Sequence, residues 1–167
     1  MIKRIFQDLN ECIIFNDYSS SVKGSIQFKL DSKINHVHVR PCAVKLFEIY
    51  CSVIGKQNVF ILTSSDFKYA KLIKDLANFK ISDDQIISRQ DIVKHHSKYC
   101  DPVPKHKLGH KDNILIDNNK YSSTSPKITM MGILENNYLK TPEYSGQNAN
   151  DEVFYKAILN FIINRTK

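Results

Sequence analysis

Three polar residues stop apolar runs at places where they could do chemistry. The short run from Lys3 to Phe6 ends at Gln7-Asp8, the run from Asn58 to Leu62 ends at Thr63, and Asn113-Ile-Leu-Ile ends at Asp117. A buried strand that halts at a polar side chain is the pattern of an open α/β sheet, where ligands bind beyond the strands' carboxyl ends. In a parallel sheet those ends share one edge, so Asp8, Thr63 and Asp117 are expected to converge. Two carboxylates near one point repel unless a cation sits between them, and hard oxygen donors in that arrangement suit Mg²⁺. A hydroxyl, a lysine and turn N–H groups close by would suit a phosphate. The set predicts Mg²⁺-assisted phosphoryl transfer with one aspartate as nucleophile. Taken singly, each of the three reads equally as a helix cap or turn residue.

Residues of this kind need strands and helices to hold them. After a polar stretch from Asn16 to Gly24, Ser25-Ile-Gln-Phe-Lys-Leu and Ile34-Asn-His-Val-His-Val alternate apolar with polar. Separated by Asp31-Ser-Lys, they predict a β-hairpin. Arg40-Pro41 opens a helix with Val44, Phe47 and Ile54 on one face. Asp66 begins another, with Ala70, Ile73 and Ala77 inward. Gln85 to Ser88 and Lys127 to Met131 read as short strands, and Lys94 to His110 and Asn136 to Asn150 as loops. Asp151 is placed to cap a last helix, Glu152 to Asn164, whose stripe of Phe154, Ile158, Phe161 and Ile162 is core. The alternation predicts one α/β domain over residues 1–167 with a mostly parallel sheet.

Composition narrows the function classes. The chain has 167 residues, 42% of them apolar and 25% charged, which is ordinary globular usage rather than disorder. No apolar run nears the ~20 residues that span a bilayer, and Asp8 falls where a signal peptide would need its apolar stretch. Cys12, Cys42, Cys51 and Cys100 are irregularly spaced, which predicts reduced thiols in a cytoplasmic or nuclear-type compartment, with export by unconventional signals left open. A net charge of +7 favours anionic partners, or else reflects a Lys-, Asn- and Ile-rich composition. His95, His96, Cys100, His106 and His110 follow no familiar zinc spacing and are read as a solvated basic rim.

The segments around the three strand ends resemble the haloacid-dehalogenase superfamily and, more narrowly, the phosphatases that act on the C-terminal domain of RNA polymerase. Asp8-Leu-Asn-Glu-Cys-Ile13 is similar to that superfamily's Asp-Leu-Asp-Glu-Thr-Leu signature. Ser19-Ser-Ser21 and the hairpin ending in Arg40-Pro41 resemble its inserted flap. Val59-Phe-Ile-Leu-Thr-Ser-Ser65 with Tyr69-Ala70 resembles its second motif, and Lys107-Leu-Gly109 with Ile114-Leu-Ile-Asp-Asn118 its turn and metal motif. The likeness runs from about residue 3 to about residue 122.

The resemblance implies a three-layer Rossmann-like fold with a small hairpin flap, about residues 18–40, and no large cap. It implies that Asp8 attacks phosphorus to form an aspartyl-phosphate. Mg²⁺ would be held by Asp8, the backbone carbonyl of Asn10 and Asp117, with Asn118 acting through a water. Thr63 would bind a phosphate oxygen, and Lys105, or alternatively Lys107, would neutralise charge. Ser64, Phe28 and Arg89 are candidate substrate contacts, Phe28 and Tyr18 reading equally as hairpin packing and Arg89 as a surface residue. An open site favours a phosphorylated protein over a small metabolite, without separating serine, threonine and tyrosine, and the protein is expected to be a monomer.

One position departs from the pattern. Two residues after the nucleophile the family carries an aspartate that protonates the leaving group, and here stands Asn10. An amide cannot exchange a proton in that role near neutral pH, and losing such help costs ~10²–10⁴-fold in rate. Asn10 is an introduced change, or a natural weakening of the enzyme, or is compensated by His36, His38 or Glu11. The competing classes are a weakened domain that binds phosphorylated partners, a nucleotide phosphatase, and a nucleic-acid-binding domain, the last less favoured.

Overall fold

In the computed structural model, residues 2–18, 23–96, 110–146 and 151–166 are described. Five of the strands form one sheet: β1 (Arg4–Gln7), β5 (Val59–Leu62), β6 (Ile86–Ile87), β7 (Asn113–Asp117) and β8 (Tyr138–Lys140). Their order is β6-β5-β1-β7-β8, and every pairing is parallel. The chain begins in the centre, builds outward through β5 and β6, then returns to lay β7 and β8 on the other side of β1. The reversal falls between β1 and β7, the kind of crevice in which α/β sheets bind ligands.

Both faces of the sheet are covered, so its strands read as continuous apolar runs rather than alternating ones. On one face Ile5, Val59, Ile61, Ile86, Ile114 and Ile116 pack against α1 (Ala43–Ile54), α2 (Phe67–Leu76) and α5 (Asp151–Thr166). On the other, Phe6, Phe60, Leu62, Ile87 and Leu115 meet Ile92 of α3 (Arg89–His96) and Ile128, Met130 and Met131 of α4 (Pro126–Met131). This is the expected three-layer α/β architecture. Ile61 has no solvent exposure, so truncating it to alanine should cost about 2–5 kcal/mol.

Between β1 and α1 the chain builds a small antiparallel sheet, β2-β4-β3, from β2 (Ile14–Asn16), β3 (Ile26–Leu30) and β4 (Lys33–Val39). The expected hairpin is β3–β4. Leu30 pairs with Lys33 across a two-residue turn at Asp31 and Ser32, whose φ values of 46° and 67° are those of a primed hairpin turn. The flap is docked rather than free. Lys68 of α2 pairs with Asp31 at the hairpin tip, the Tyr69 hydroxyl donates to Asn16 Oδ1 at 2.5 Å, and the Phe28 and Tyr69 rings lie 6.3 Å apart.

Several expectations need correction. Lys127 to Met131 is helix, not strand: Pro126 occupies the first turn and Gly132, at φ 60°, closes it. The stretch read as loop from Asn136 contains β8, and the polar reading that began at Asn16 missed β2. Lys94, His95 and His96, read as the start of a loop, belong to the end of α3. Asp151 is the first residue of α5, and its side chain accepts from the Cys42 N–H at 3.0 Å, at the start of α1. Its other oxygen lies 3.4 Å from Arg40 Nε, and that buried guanidinium is sandwiched by the rings of Tyr144 and Phe154, 4.5 and 3.7 Å from their centres. Phe154, Ile158 and Ile162 are buried as expected. Cys12, Cys42 and Cys51 are free thiols, and no helix of the described residues is long and apolar enough to cross a membrane.

Candidate active site

Asp8 is the first residue beyond β1. Its N–H donates to the carbonyl of Ile116 in β7 at 2.9 Å, so sheet pairing continues through the residue that presents the carboxylate. The chain then turns tightly. Ile13 and Ile14 N–H groups both donate to the Leu9 carbonyl at 3.1 Å, Glu11 takes a φ of 57°, and Leu9, Cys12 and Ile13 are buried beneath. Gln7, buried in the last position of β1, braces this turn by accepting from the Tyr50 hydroxyl at 2.9 Å and donating to the Asp8 carbonyl at 3.0 Å.

Asp117 ends β7 beside it. Its Oδ1 accepts from both the N–H and the side-chain amide of Asn119 at 2.8 Å, which orients the carboxylate. Between the two acids stands Lys127, from the first turn of α4, with Nζ 2.5 Å from Asp8 Oδ1 and 3.5 Å from Asp117 Oδ2. The two acids are buried, 5% and 4% exposed, and the lysine is 14% exposed. Burial pushes the Asp8 carboxyl up, Lys127 pulls it down and Asp117 raises it again, leaving a pKa of about 6. Burial works to lower the Lys127 ammonium, but the charges of Asp8 and Asp117 and their hydrogen bonds outweigh it and hold its pKa above the ordinary value. Burial likewise drives the Cys12 thiol far up, which keeps it protonated.

Thr63 follows β5 on the other side of β1, fully buried, its N–H bonded to the Ile87 carbonyl at 2.9 Å. Its hydroxyl oxygen accepts from the Ser65 N–H at 3.1 Å, and Ser65 Oγ accepts from the Asn10 side-chain amide at 2.6 Å. The loops after β1 and β5 are thereby tied together. The Asn10 Oδ1 is buried without a hydrogen-bond partner.

Two cavities flank this centre. One, of about 270 Å³, is lined by Arg89, Lys120, Lys127, Asp117 and Tyr138. The other, a groove of about 340 Å³ between flap and α2, is lined by Asn10, Asn16, Tyr18, Ser65 and Tyr69. Ser64 and Arg89 line both. The structure therefore gathers Asp8, Asn10, Thr63, Ser64, Arg89 and Asp117 around one edge. Phe28 is packed in the core at 8% exposure and lines neither cavity, which is the hairpin-packing alternative, while Tyr18 is 91% exposed in the groove. Asn118 accepts from the Asn119 amide at 3.4 Å. Lys105 and Lys107 lie outside the described residues, as do Ser19 to Ser21, Cys100 and His106. His110 is described, its ring 3.4 Å from Asp112.

Lys127 is the residue that sequence reading missed. The available signal was Ser125-Pro126 before it and Gly132 after it, a start and stop for a six-residue helix. A lysine in a first helical turn faces the positive end of the helix dipole, so its position there requires compensating acids, and Asp8 and Asp117 supply them.

The donor set also fits Mg²⁺. Two carboxylates face one ammonium, so one negative charge is left over, and every donor is oxygen. Among the described residues there is no group of three or more His, Cys, Asp or Glu side chains that could hold a metal. Two carboxylates with a backbone carbonyl and waters is the manner in which Mg²⁺ is usually bound.

A central parallel sheet with this strand order and a small antiparallel flap after the first strand is the haloacid-dehalogenase-like fold that the sequence motifs predict. Among solved structures, the chain is similar to fission yeast Fcp1, an RNA polymerase II CTD phosphatase, in a variant bound to beryllium fluoride. That match has a TM-score of 0.57 at 14% identity and covers 98% of this chain and 51% of the other. A second structure of Fcp1, described as an essential RNA polymerase II CTD phosphatase, matches with the same score and identity over 98% of this chain and 50% of the other. The chain thus spans about half the length of the structures it resembles, and at this identity the likeness establishes the fold. No family model and no curated protein sequence matches the chain.

Proposed function

We propose that the chain is a Mg²⁺-dependent phosphatase that works through an aspartyl-phosphate on Asp8. The observation that carries this reading is the buried cluster of Asp8, Lys127 and Asp117 at the sheet's switch point, with Thr63 at the next strand end. A carboxylate oxygen of Asp8 attacks phosphorus. The Lys127 ammonium neutralises charge on the phosphoryl oxygens as it transfers, and the Thr63 hydroxyl donates to one of them. Asp8, Asp117 and the Asn10 carbonyl would hold Mg²⁺, with Asn118 reaching it through a water. When bound, the ion supplies electrostatic stabilisation of the transferring group.

Lys127 stands as a further candidate for the part that the family resemblance gives to Lys105 or Lys107, which lie outside the described residues, and the three are separable by mutation. The two cavities joined at Ser64 and Arg89 leave the site open on both sides, which supports an extended phosphorylated polypeptide as substrate. Free thiols accord with a reducing compartment. The test is hydrolysis of an aryl phosphate in Mg²⁺ by the chain and by Asp8→Asn, Lys127→Ala and Lys105→Ala. Asp8→Asn should fall to the blank and Lys127→Ala should lose ~10²–10³-fold; a comparable loss in Lys105→Ala would assign charge neutralisation to Lys105 instead, and full activity in Asp8→Asn would sink the reading.

A second reading rests on Asn10. With an amide at the general-acid position, the same pocket would hold phosphorylated partners without turning them over. Turnover by the unmodified chain would exclude it.

A further inference from the structure

The chemistry of the leaving group follows from what faces the space opposite Asp8. In-line attack by Asp8 sends the leaving oxygen away from the nucleophile, and Asn10, at the general-acid position, opens on a groove with Ser65 and Asp66. Asn10 cannot give up a proton there. Its amide N–H already donates to Ser65, and its Oδ1 can only accept.

Of the other proton-bearing groups around that space, Tyr18 stands 91% exposed at the rim, too solvated to be held on a leaving oxygen, and the rest are engaged elsewhere. Lys127 binds Asp8 itself, on the attacking side. Asp66 caps α2 by accepting from the Tyr69 N–H at 2.9 Å, and its second oxygen lies 4.0 Å from Arg89. The Tyr69 hydroxyl donates to Asn16. From the flap, His38 Nδ1 is bonded to the Tyr144 hydroxyl at 2.5 Å. Glu11 lines not this groove but an adjoining one with Phe15 and Asp17, which shares Asn16 and Tyr18 with it, and His36 lines neither cavity of the site. Among the described residues, then, the groove presents no acid positioned on the leaving oxygen.

Resting on the phosphatase reading above, we infer that this site is selective for phosphoryl donors whose leaving oxygen departs as a stable anion, which in a protein substrate means phosphotyrosine rather than phosphoserine or phosphothreonine. A phenol ionises with a pKa of about 10, whereas a serine or threonine alkoxide is far more basic and leaves only if it is protonated. The steps balance without an enzymatic acid. The bond from Asp8 oxygen to phosphorus forms as the phosphorus–aryl oxygen bond breaks, the electron pair leaves on the phenolate, and solvent protonates it. Water then attacks phosphorus, the bond to Asp8 breaks to regenerate the carboxylate, and the water's proton passes to solvent. This second step lacks a general base as well, so the phosphoenzyme persists.

The experiment compares kcat/KM on two peptides of one sequence, bearing phosphotyrosine or phosphoserine, in Mg²⁺. It uses the full chain and Asn10→Asp, with Asp8→Asn as blank, and follows 4-nitrophenyl phosphate in the pre-steady state. The chain should favour phosphotyrosine by ~10²-fold or more and release a burst of nitrophenolate stoichiometric with enzyme. Asn10→Asp should bring the ratio down by at least tenfold and remove the burst. Equal rates on the two peptides, or a ratio that Asn10→Asp leaves unchanged, would overturn the inference while the phosphatase reading stands. No turnover and no burst with either chain would overturn both.

Discussion

Two Lys–Asp clusters on this molecule use the same chemistry to opposite ends. On the outer surface of α2, Lys71 and Lys74 face Asp75 and Asp83, with Lys74 Nζ 2.5 Å from Asp83 and 2.9 Å from Asp75. Two ammoniums meet two carboxylates, and the acids are 42% and 54% exposed. At the sheet edge a single ammonium, 14% exposed, meets two buried carboxylates. The first cluster is balanced and, apart from the buried Lys74, solvated, and exposed pairs of that kind contribute little to stability. The second is unbalanced and dry, which is costly unless another cation completes it, and strongly perturbed groups in such a cleft mark function.

The largest contrast should appear in turnover. Removing Lys127 by alanine should cost ~10²–10³-fold in kcat/KM, whereas Lys71→Ala should leave it unchanged. Comparable losses in both would erase the distinction. Binding of a divalent ion gives the next. At a hundredfold excess over its Kd, Mg²⁺ should stabilise the chain by about 2.7 kcal/mol, read as a rise in melting temperature. That rise should vanish in Asp117→Asn and persist in Asp83→Asn.

The pH dependence of stability should separate the clusters by sign. Folded Asp8 has a pKa of about 6 against an ordinary 3.8. The folded state therefore holds that proton more tightly, and its contribution is present at low pH and lost as pH rises through about 6. In metal-free protein the loss should be on the order of 3 kcal/mol, and Asp8→Asn should remove it. Asp83 goes the other way. The hydrogen bonds from Lys71 and Lys74 hold its carboxyl below the ordinary value, so it stabilises above its unfolded pKa and the gain is lost on acidification. Melting curves between pH 3 and 7 for the chain, Asp8→Asn and Asp83→Asn check both slopes, the second being the smaller because Asp83 is solvated.

The half of the site that strands carry was legible because buried parallel strands are apolar runs with an abrupt polar end. Asp8, Thr63 and Asp117 announce themselves in that way, and the alternating hairpin did likewise. The half that a short helix carries was not. Six residues give no helical period, and Ile128-Thr-Met-Met131 has the look of a strand, so Lys127 was passed over although Pro126 and Gly132 bracket it. β2 and β8, at three residues each, are too short for any period. Asp151 reads locally as a cap for its own helix, but its oxygens serve Cys42 and Arg40, more than a hundred residues earlier, and only tertiary packing decides that.

The most direct test of the account is to quench the chain in acid during turnover of an aryl phosphate and locate the phosphoryl group by peptide mass spectrometry. One added phosphoryl group is expected on the peptide containing Asp8, on Asp8 itself, and none in Asp8→Asn. A phosphoryl group on any other residue, or turnover that survives in Asp8→Asn, would contradict it.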